Sequence, residues 1–476
     1  MFRKISKSFH IFLILSIIVF SFSYYRTKKN EFMDIWNPFE QMSEGQMTFG
    51  GEGHFLYITQ YFSPDDNWVV YDTRNDDTHI GRTGCIEMVN TVTKEKKLLY
   101  RAPGQTINGP GVGAAAFSPV SNTVIFIHGL MNCDSVKPYG FTRRTGVAVS
   151  LNKPGEPIFM DARDVLEPFM PGALRGGTHA HSWSGDGEWI SFTYNDALLA
   201  QLEKEGDNNI KDLRVVGVMA PFGPVTVKEG EYGENVHGEK FAIIVTEVTE
   251  NPEPGSDQIS IACEDGWVGT HGYSRPDGSR QKSAVAFLGD TRDKNGNILT
   301  EVFIADIPDD VTIQMPGQPL AGTGLSRPAP PAGTNQRRLT FTGENKYPGV
   351  QGPRHWMRST PDGSLIFFMM KDTFGNIQIY AVSPNGGEIK QITNNYFSVE
   401  TTFSVRPDGQ FIAYGSGEKV FLTHIETGET RQVSPGPQKG MTGLKSINWS
   451  NGGNMIAYNR KVSVDDSSYF QIFLLK

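Results

Sequence analysis

The chain has 476 residues, with 52 glycines, 28 prolines and a net charge of −8. That much glycine and proline favours many turns over long helices, and the absence of a large basic block argues against nucleic acid as a partner. The three cysteines, Cys85, Cys133 and Cys263, cannot all pair and are not spaced as a disulfide framework.

The N-terminus reads as a targeting segment. Arg3, Lys4 and Lys7 precede an apolar run over 11–20, a basic region followed by a hydrophobic one of signal-peptide length. Residues 1–30 are expected to be a signal peptide or, with Arg26, Lys28 and Lys29 following, an uncleaved anchor. The protein is then exported, periplasmic or secreted, and touches membrane only through that segment.

From residue 54 a unit recurs: an apolar stretch, a turn, then a strand rich in β-branched and aromatic residues. The turns include Ser63-Pro64-Asp65-Asp66, Ser184-Gly185-Asp186-Gly187, Thr360-Pro361-Asp362-Gly363 and Arg406-Pro407-Asp408-Gly409. Proline presets φ, aspartate caps its own backbone and glycine accepts positive φ. Strands such as Trp68-Val69-Val70-Tyr71 and Leu365-Ile366-Phe367-Phe368 follow. Four short strands per unit predict an all-β, seven-bladed β-propeller. It is expected as a single domain over 40–476, with blades starting near His54, Val112, Thr178, Phe241, Arg354, Thr401 and Ser446. Blade four is expected to carry an insertion over about 228–340. The last blade lacks an outer strand, and Gln46-Met47-Thr48-Phe49 is expected to complete it, closing the ring and removing two sheet edges. The stretch from Ala197 to Glu205 predicts one short helix.

The Pro-Asp-Gly turns share one end of such a ring. The opposite end receives the longer polar loops, and function concentrates on loops held by a rigid scaffold. His128 opens a loop that also holds Tyr139, Arg143 and Arg144. His179 and His181 are expected to face opposite sides of their strand, so at most one enters the channel. Tyr194 ends the neighbouring strand. Arg82, Arg143, Arg144, Arg175 and Arg354, the last beside His355, suit an anionic ligand, because guanidinium matches carboxylate or sulfate geometry. His237, Cys263 and His271, with Glu264 and Asp265 nearby, are candidate ligands for one structural zinc ion. No nucleophile elbow, Walker loop, dinucleotide fingerprint or His-Glu-x-x-His occurs.

The stretches Tyr71 to His79, Pro138 to Gly146 and Gly176-Gly177-Thr178-His179-Ala180-His181 resemble a bacterial propeller family of the YidR type. More distantly, the chain is similar to the seven-bladed ulvan lyases. That second likeness implies a polysaccharide lyase acting by β-elimination on a sulfated, uronate-containing polymer. It implies His128 and Tyr194 in proton transfer, with His179 or His181 as a second histidine, an arginine from Arg143 or Arg144 on the uronate carboxylate, and a structural metal. On this reading the partner is an anionic polysaccharide and the protein is a monomer. Two other readings compete. One is a non-catalytic propeller of the TolB kind that binds protein or glycan. The other is a glycosidase using Asp76 and Asp196 as paired carboxylates.

Overall fold

The computed structural model describes residues 35–40, 42–57, 59–206 and 210–476. The expected signal segment, 1–30, lies outside the described residues. The chain divides into two units, Met1–Ser43 and Glu44–Lys476. In the first, the described residues form a short 3-10 turn, Asn37–Phe39.

The second unit is a seven-bladed β-propeller, assembled from antiparallel sheets in strand order from the axis outwards. Blade three is Gly177–Trp183, Ile190–Asn195, Val215–Ala220 and Phe241–Ile244. Blades two, four, five and six repeat this pattern from inner strands Val112–Phe117, Ile261–Trp267, Arg358–Ser359 and Ser404–Val405. Blade one has three regular strands, and residues near Phe55 and Phe62 take its inner position through isolated bridges to Asp72 and Val69.

The turns work as their chemistry requires. Oδ1 of Asp186, Asp362 and Asp408 accepts the backbone N–H two residues on, at 3.0 Å in each case. Gly187, Gly363 and Gly409 follow at φ 72°, 74° and 73°, the left-handed region that glycine enters without steric cost. The second strand of each blade is buried on both faces, as in Val124 to Ile127, Ile190 to Phe192 and Ile366 to Met369, because neighbouring blades cover it on either side.

Blade seven closes the ring. Glu44–Gln46 pairs antiparallel with Ser467–Leu475, with Gln46 opposite Phe473, and Met47 N–H donates to Ile472 C=O at 2.8 Å. The closing strand thus begins slightly earlier than the sequence suggests. Glu44 also receives the buried Arg460 guanidinium at 3.0 Å and the Tyr458 hydroxyl.

The expected start of blade four needs correction. Phe241 opens the outer strand of blade three, and blade four begins at Ile261. The additional chain is distributed: an excursion over 221–240 inside blade three, a hairpin of Tyr273–Ser274 with Arg280–Gln281, and a loop over 308–334. An apolar outer strand split from its blade by an excursion looks in sequence like the start of another blade. The expected helix is Ala197–Lys204, capped by Asp196, whose side chain accepts from the N–H groups of Leu198 and Leu199.

Glu44→Ala removes the carboxylate 3.0 Å from the buried Arg460 guanidinium and leaves it Glu418, with a carbonyl at 2.9 Å and a carboxylate at 3.6 Å. The expected loss is about 1–3 kcal/mol of stability, read as a lowered denaturant midpoint. An unchanged midpoint would show that the N-terminal strand does not bear on closure.

Candidate functional site

Four inner strands carry the same irregularity. The register shifts between Gly113 and Ala116 in blade two, His179 and Ser182 in blade three, Cys263 and Gly266 in blade four, and Lys445 and Asn448 in blade seven. Within these bulges Ala114, Ala180, Glu264 and Ser446 have φ of 57°, 61°, 56° and 57°. None is glycine, so each conformation costs about 1–2 kcal/mol. Bulges re-aim side chains, and all four of these residues line one cavity of about 470 Å³ on the ring axis.

The cavity wall holds five cations, Arg74, Arg144, Arg214, Arg354 and Lys445, against the carboxylates Asp77, Glu264 and Glu400. Arg74 is neutralised in place, because its guanidinium forks onto buried Asp72 at 2.7 and 2.8 Å. Asp72 also accepts the N–H of Ala114 at 2.8 Å, tying blade one to the blade-two bulge. Arg354 Nε donates to Glu264 Oε1 at 2.7 Å and its guanidinium lies 4.4 Å from the Trp356 ring centre. Trp356 in turn meets Tyr57 edge to face at 5.8 Å.

Arg144 differs from its neighbours. It is only 3% exposed, and one nitrogen donates to the Tyr139 hydroxyl at 3.2 Å. Its Nε and Nη2 are buried without a hydrogen-bond partner. The ring of Phe141 lies 4.9 Å from the Arg144 guanidinium and 5.6 Å from that of Arg214, which keeps the two cations apart. Five other polar atoms of the wall are also unpartnered: the Tyr57 hydroxyl, His179 Nδ1, Glu264 Oε2, Trp356 Nε1 and Thr402 Oγ1. His179 Nε2 lies 2.7 Å from Thr193 Oγ1, whose proton can go to the His179 carbonyl at 3.4 Å. Nε2 then carries the ring proton and Nδ1 the free lone pair. Burial first, then the positive charge of Arg144, Arg214 and Arg354, holds this imidazole well below the usual histidine range. Burial likewise pushes the Tyr57 phenol up, so it stays protonated.

The residues expected to converge here part company. Of the acid–base candidates, His179 lines the cavity, while His128, Tyr194 and His181 do not. His128 is buried inside its blade, with Nδ1–H donating to the Gly129 carbonyl and Nε2 accepting from Tyr100 at 3.0 Å. The Tyr194 hydroxyl donates to Asp196 at 3.0 Å and accepts the N–H of Arg175 at 3.2 Å. His181 Nε2 rests on the Thr178 hydroxyl at 3.0 Å, which is itself held by buried Asp161. Residues two apart in a regular strand share a face, so simple alternation does not separate His179 from His181; the bulge at Ala180 does.

Of the candidate binding residues, Arg144 and Arg354 line the cavity. Arg143 is engaged by Glu234 at 2.6 Å and by Asn132. Arg175 is fully buried against Asp196, and the carbonyls of Thr323 and Ser326 in the 308–334 loop cover it. Arg82 is exposed at the end of the 3-10 turn Ile80–Arg82, whose first residue lines the cavity while Arg82 itself does not. Tyr139 supports Arg144 from behind. His355 is buried, donating to the Pro353 carbonyl at 2.8 Å and accepting from Met369 N–H at 3.2 Å. Asp196 is the helix cap and Asp76 pairs with His79 at 2.6 Å, so neither offers a catalytic carboxylate to this cavity.

The zinc expectation also fails on placement. His237 accepts Val227 N–H at 3.2 Å within the blade-three excursion, while Cys263 lies on the blade-four inner strand and His271 precedes the hairpin strand Arg280–Gln281. Among the described residues, no three His, Cys, Asp or Glu side chains come together to hold a metal ion.

Sequence reasoning missed Tyr57, Arg214, Trp356 and the direct role of Glu264 in the wall. Trp356 precedes the blade-five inner strand, Glu264 sits in the bulge of the blade-four inner strand and Arg214 precedes the third strand of blade three, positions visible only once blade phase is known.

Five histidines, His54, His128, His179, His181 and His355, are kept neutral chiefly by burial, His54 and His355 being lowered to about 4. The unfolded chain takes up protons on these rings below about pH 6.5 while the folded one does not. The stability these rings contribute is therefore complete above that value and is lost as pH drops towards 4, by up to about 3 kcal/mol for one such ring. Burial raises Asp161 and Asp265 to about 6 and about 7, and these two carboxyls oppose the loss over the same interval. With five rings against two carboxyls, the melting temperature is expected to fall between about pH 6.5 and pH 4. A melting temperature that holds level down to the acid end would contradict the neutral burial of these rings.

Comparison with known proteins agrees with the fold. The family described as "Protein of unknown function (DUF3748)" matches residues 111–234, which include His128, Arg144 and His179. Among solved structures, the chain is similar to an oligogalacturonate lyase from Vibrio parahaemolyticus, at 10% identity and TM-score 0.50, covering 92% of this chain and 94% of the other. It is also similar to a puromycin hydrolase, at 12% identity and TM-score 0.50, covering 89% of this chain but 51% of that enzyme. At such identities these likenesses show the propeller fold alone. The "Uncharacterized protein YidR" of Escherichia coli (strain K12) is 39% identical over 393 residues, covering 82% of this chain and 88% of that protein. The chain belongs to the YidR family of β-propellers.

Proposed function

We propose that the axial cavity binds the carboxylate of a uronic acid and that the protein is a polysaccharide lyase acting by β-elimination. The observation that carries this reading is Arg144, which brings two buried, unpartnered N–H donors to the same wall as the neutral imidazole of His179. A buried donor without a partner costs about 1–3 kcal/mol, and an anion entering the cavity would supply the missing acceptor.

The chemistry follows from charge. The C5 proton of a uronate is weakly acidic while its carboxylate remains free. Arg144, with Arg214 and Arg354 beside it, neutralises that carboxylate and stabilises the enolate-like transition state. Nδ1 of His179 takes the C5 proton, and the C5–H electron pair passes into the carboxyl group as an enolate. That pair returns as the C4–C5 double bond as the C4–O bond breaks, and the departing glycosidic oxygen keeps the C4–O pair and receives the proton of the Tyr57 hydroxyl. The arginines that depress His179 in the free protein are those the substrate neutralises, so binding itself raises the basicity of the imidazole. Export, expected from residues 1–30, fits a polymeric substrate met outside the cytoplasm.

The strongly depressed imidazole also favours a second reading, a propeller that binds an anionic glycan without cleaving it. The two are separated by incubating the purified protein with polygalacturonate, ulvan and related uronate polymers and following the ultraviolet absorbance of an unsaturated uronate. Turnover is expected. Binding without any absorbance change would select the second reading, and neither binding nor turnover across the panel would overturn both.

Arg144→Ala is expected to lower kcat/KM by about 100–1,000-fold, and His179→Ala by about 100–10,000-fold. Tyr194→Phe, which removes a buried hydroxyl remote from the cavity, is expected to cost about 1 kcal/mol of stability and leave kcat/KM unchanged. The reverse pattern would return catalysis to the blade interior.

A further inference from the structure

We propose that Phe374 and Tyr396, with Tyr347 and its two lysines, form an outlying subsite for the part of an anionic polysaccharide chain that extends beyond the axial cavity. This rests on the preceding reading and adds that the substrate is a polymer gripped at a distance from the reacting unit.

Among the described residues, Tyr396 and Phe374 are the most exposed large apolar side chains, at 94% and 86%. They occupy neighbouring connections of blade five. Phe374 lies in the turn between Ile366–Lys371 and Ile377–Val382, and Tyr396 in the segment leading to the blade-six inner strand. Ile377 N–H donates to Ser398 Oγ at 3.0 Å and Val399 N–H to the Ile377 carbonyl at 2.9 Å, so the two connections are joined. The segment that displays Tyr396 continues into Glu400, Thr401 and Thr402, which line the cavity. The segment holding Tyr347 likewise continues into Pro353, Arg354 and Trp356 of the wall. The segments that carry Tyr347 and Tyr396 thus run on into the cavity wall.

The backbone behind both exposed rings is hydrogen-bonded in place. Asp372 is buried, and its Oδ1 accepts the N–H groups of Phe374 and Asn376 at 2.8 and 2.9 Å. Gln378 is fully buried, and its Nε2 donates to the carbonyls of Asn395 and Phe397, on either side of Tyr396, at 2.9 and 3.0 Å. A buried polar frame thus holds the backbone that presents two apolar rings to water. Such pre-organisation lowers the ordering cost of binding. The ammonium groups of Lys346 and Lys371 lie 5.2 and 5.5 Å from the Tyr347 ring centre. Sugar rings offer C–H faces that stack on aromatics, and their carboxylates or sulfates meet lysine. Rings beside cations match an acidic glycan on both counts.

The test uses the full-length protein and the double variant F374A/Y396A, with Phe222→Ala as a control at the opposite end of the ring. Electrophoresis through native gels containing polygalacturonate or ulvan is expected to retard the wild type and the control. About tenfold more polymer should be needed to retard the double variant. In turnover, kcat/KM is expected to fall by a similar factor on polymer and to stay unchanged on a uronate trisaccharide. Equal retardation of all three proteins, or retardation of none, would overturn the subsite. An equal kinetic loss on trisaccharide and polymer would do so as well. The gel reads the subsite even without turnover, so loss of the lyase reading and loss of the subsite are distinguishable.

Discussion

Seven twisted sheets meeting around one axis leave their inner strands without a neighbour on the axial side, and everything functional in this protein follows from that constraint. Backbone and side chains there face a water-accessible cavity, because no further strand can fit. The inner strands of blades two, three, four and seven respond with bulges whose central residues enter the left-handed region. Those bulges break the two-residue alternation, so one side chain turns to the axis while its near neighbour stays within the blade. His179 and His181 are the clearest pair: the same residue type, two positions apart, one on the cavity wall and one on a buried threonine.

Electrostatics at the axis rest on unequal pairing. Arg74 is matched within its own fork by Asp72, and Arg354 by Glu264, so neither presents a full charge. Arg144 has no carboxylate partner and keeps two donors free in a buried position. Phe141 lies between it and Arg214, separating the cations while covering both with an aromatic face. An anion would relieve both the unpaired donors and the mutual repulsion. Unpartnered buried polar atoms occur elsewhere in the protein, but Arg144, His179 and Tyr57 bring theirs to one cavity, and that is where function is to be sought.

The outer parts of the molecule hold this arrangement in place. Glu234, from the blade-three excursion, receives both Arg143 and Arg163, and so ties the loop carrying Phe141 to the neighbouring blade. The 308–334 loop of blade four seals Arg175 and, with it, the Asp196 cap of the only helix among the described residues. Arg143 and Arg175, which look like ligand-binding arginines in sequence, are thus structural fasteners for the residues that line the cavity.

The repeat, the turn chemistry, the number of blades and the closure by an N-terminal strand were legible from sequence because each is local: proline, aspartate and glycine act on their own backbone, and a strand covered on both faces must be apolar throughout. Arg144, Arg354 and His179 were legible as candidates because polar loops gather at one end of a propeller. Which of the many histidines, tyrosines and arginines reach the axis was decided only by the tertiary structure. That choice depends on where each blade begins and on bulges that shift register without leaving a sequence mark; alanine at positions 114 and 180 gives no hint of left-handed backbone. Partner choice across blades is equally non-local: the carboxylates that occupy Arg143 and Arg354 lie about 90 residues away in sequence, and only the packing of neighbouring blades brings them into contact.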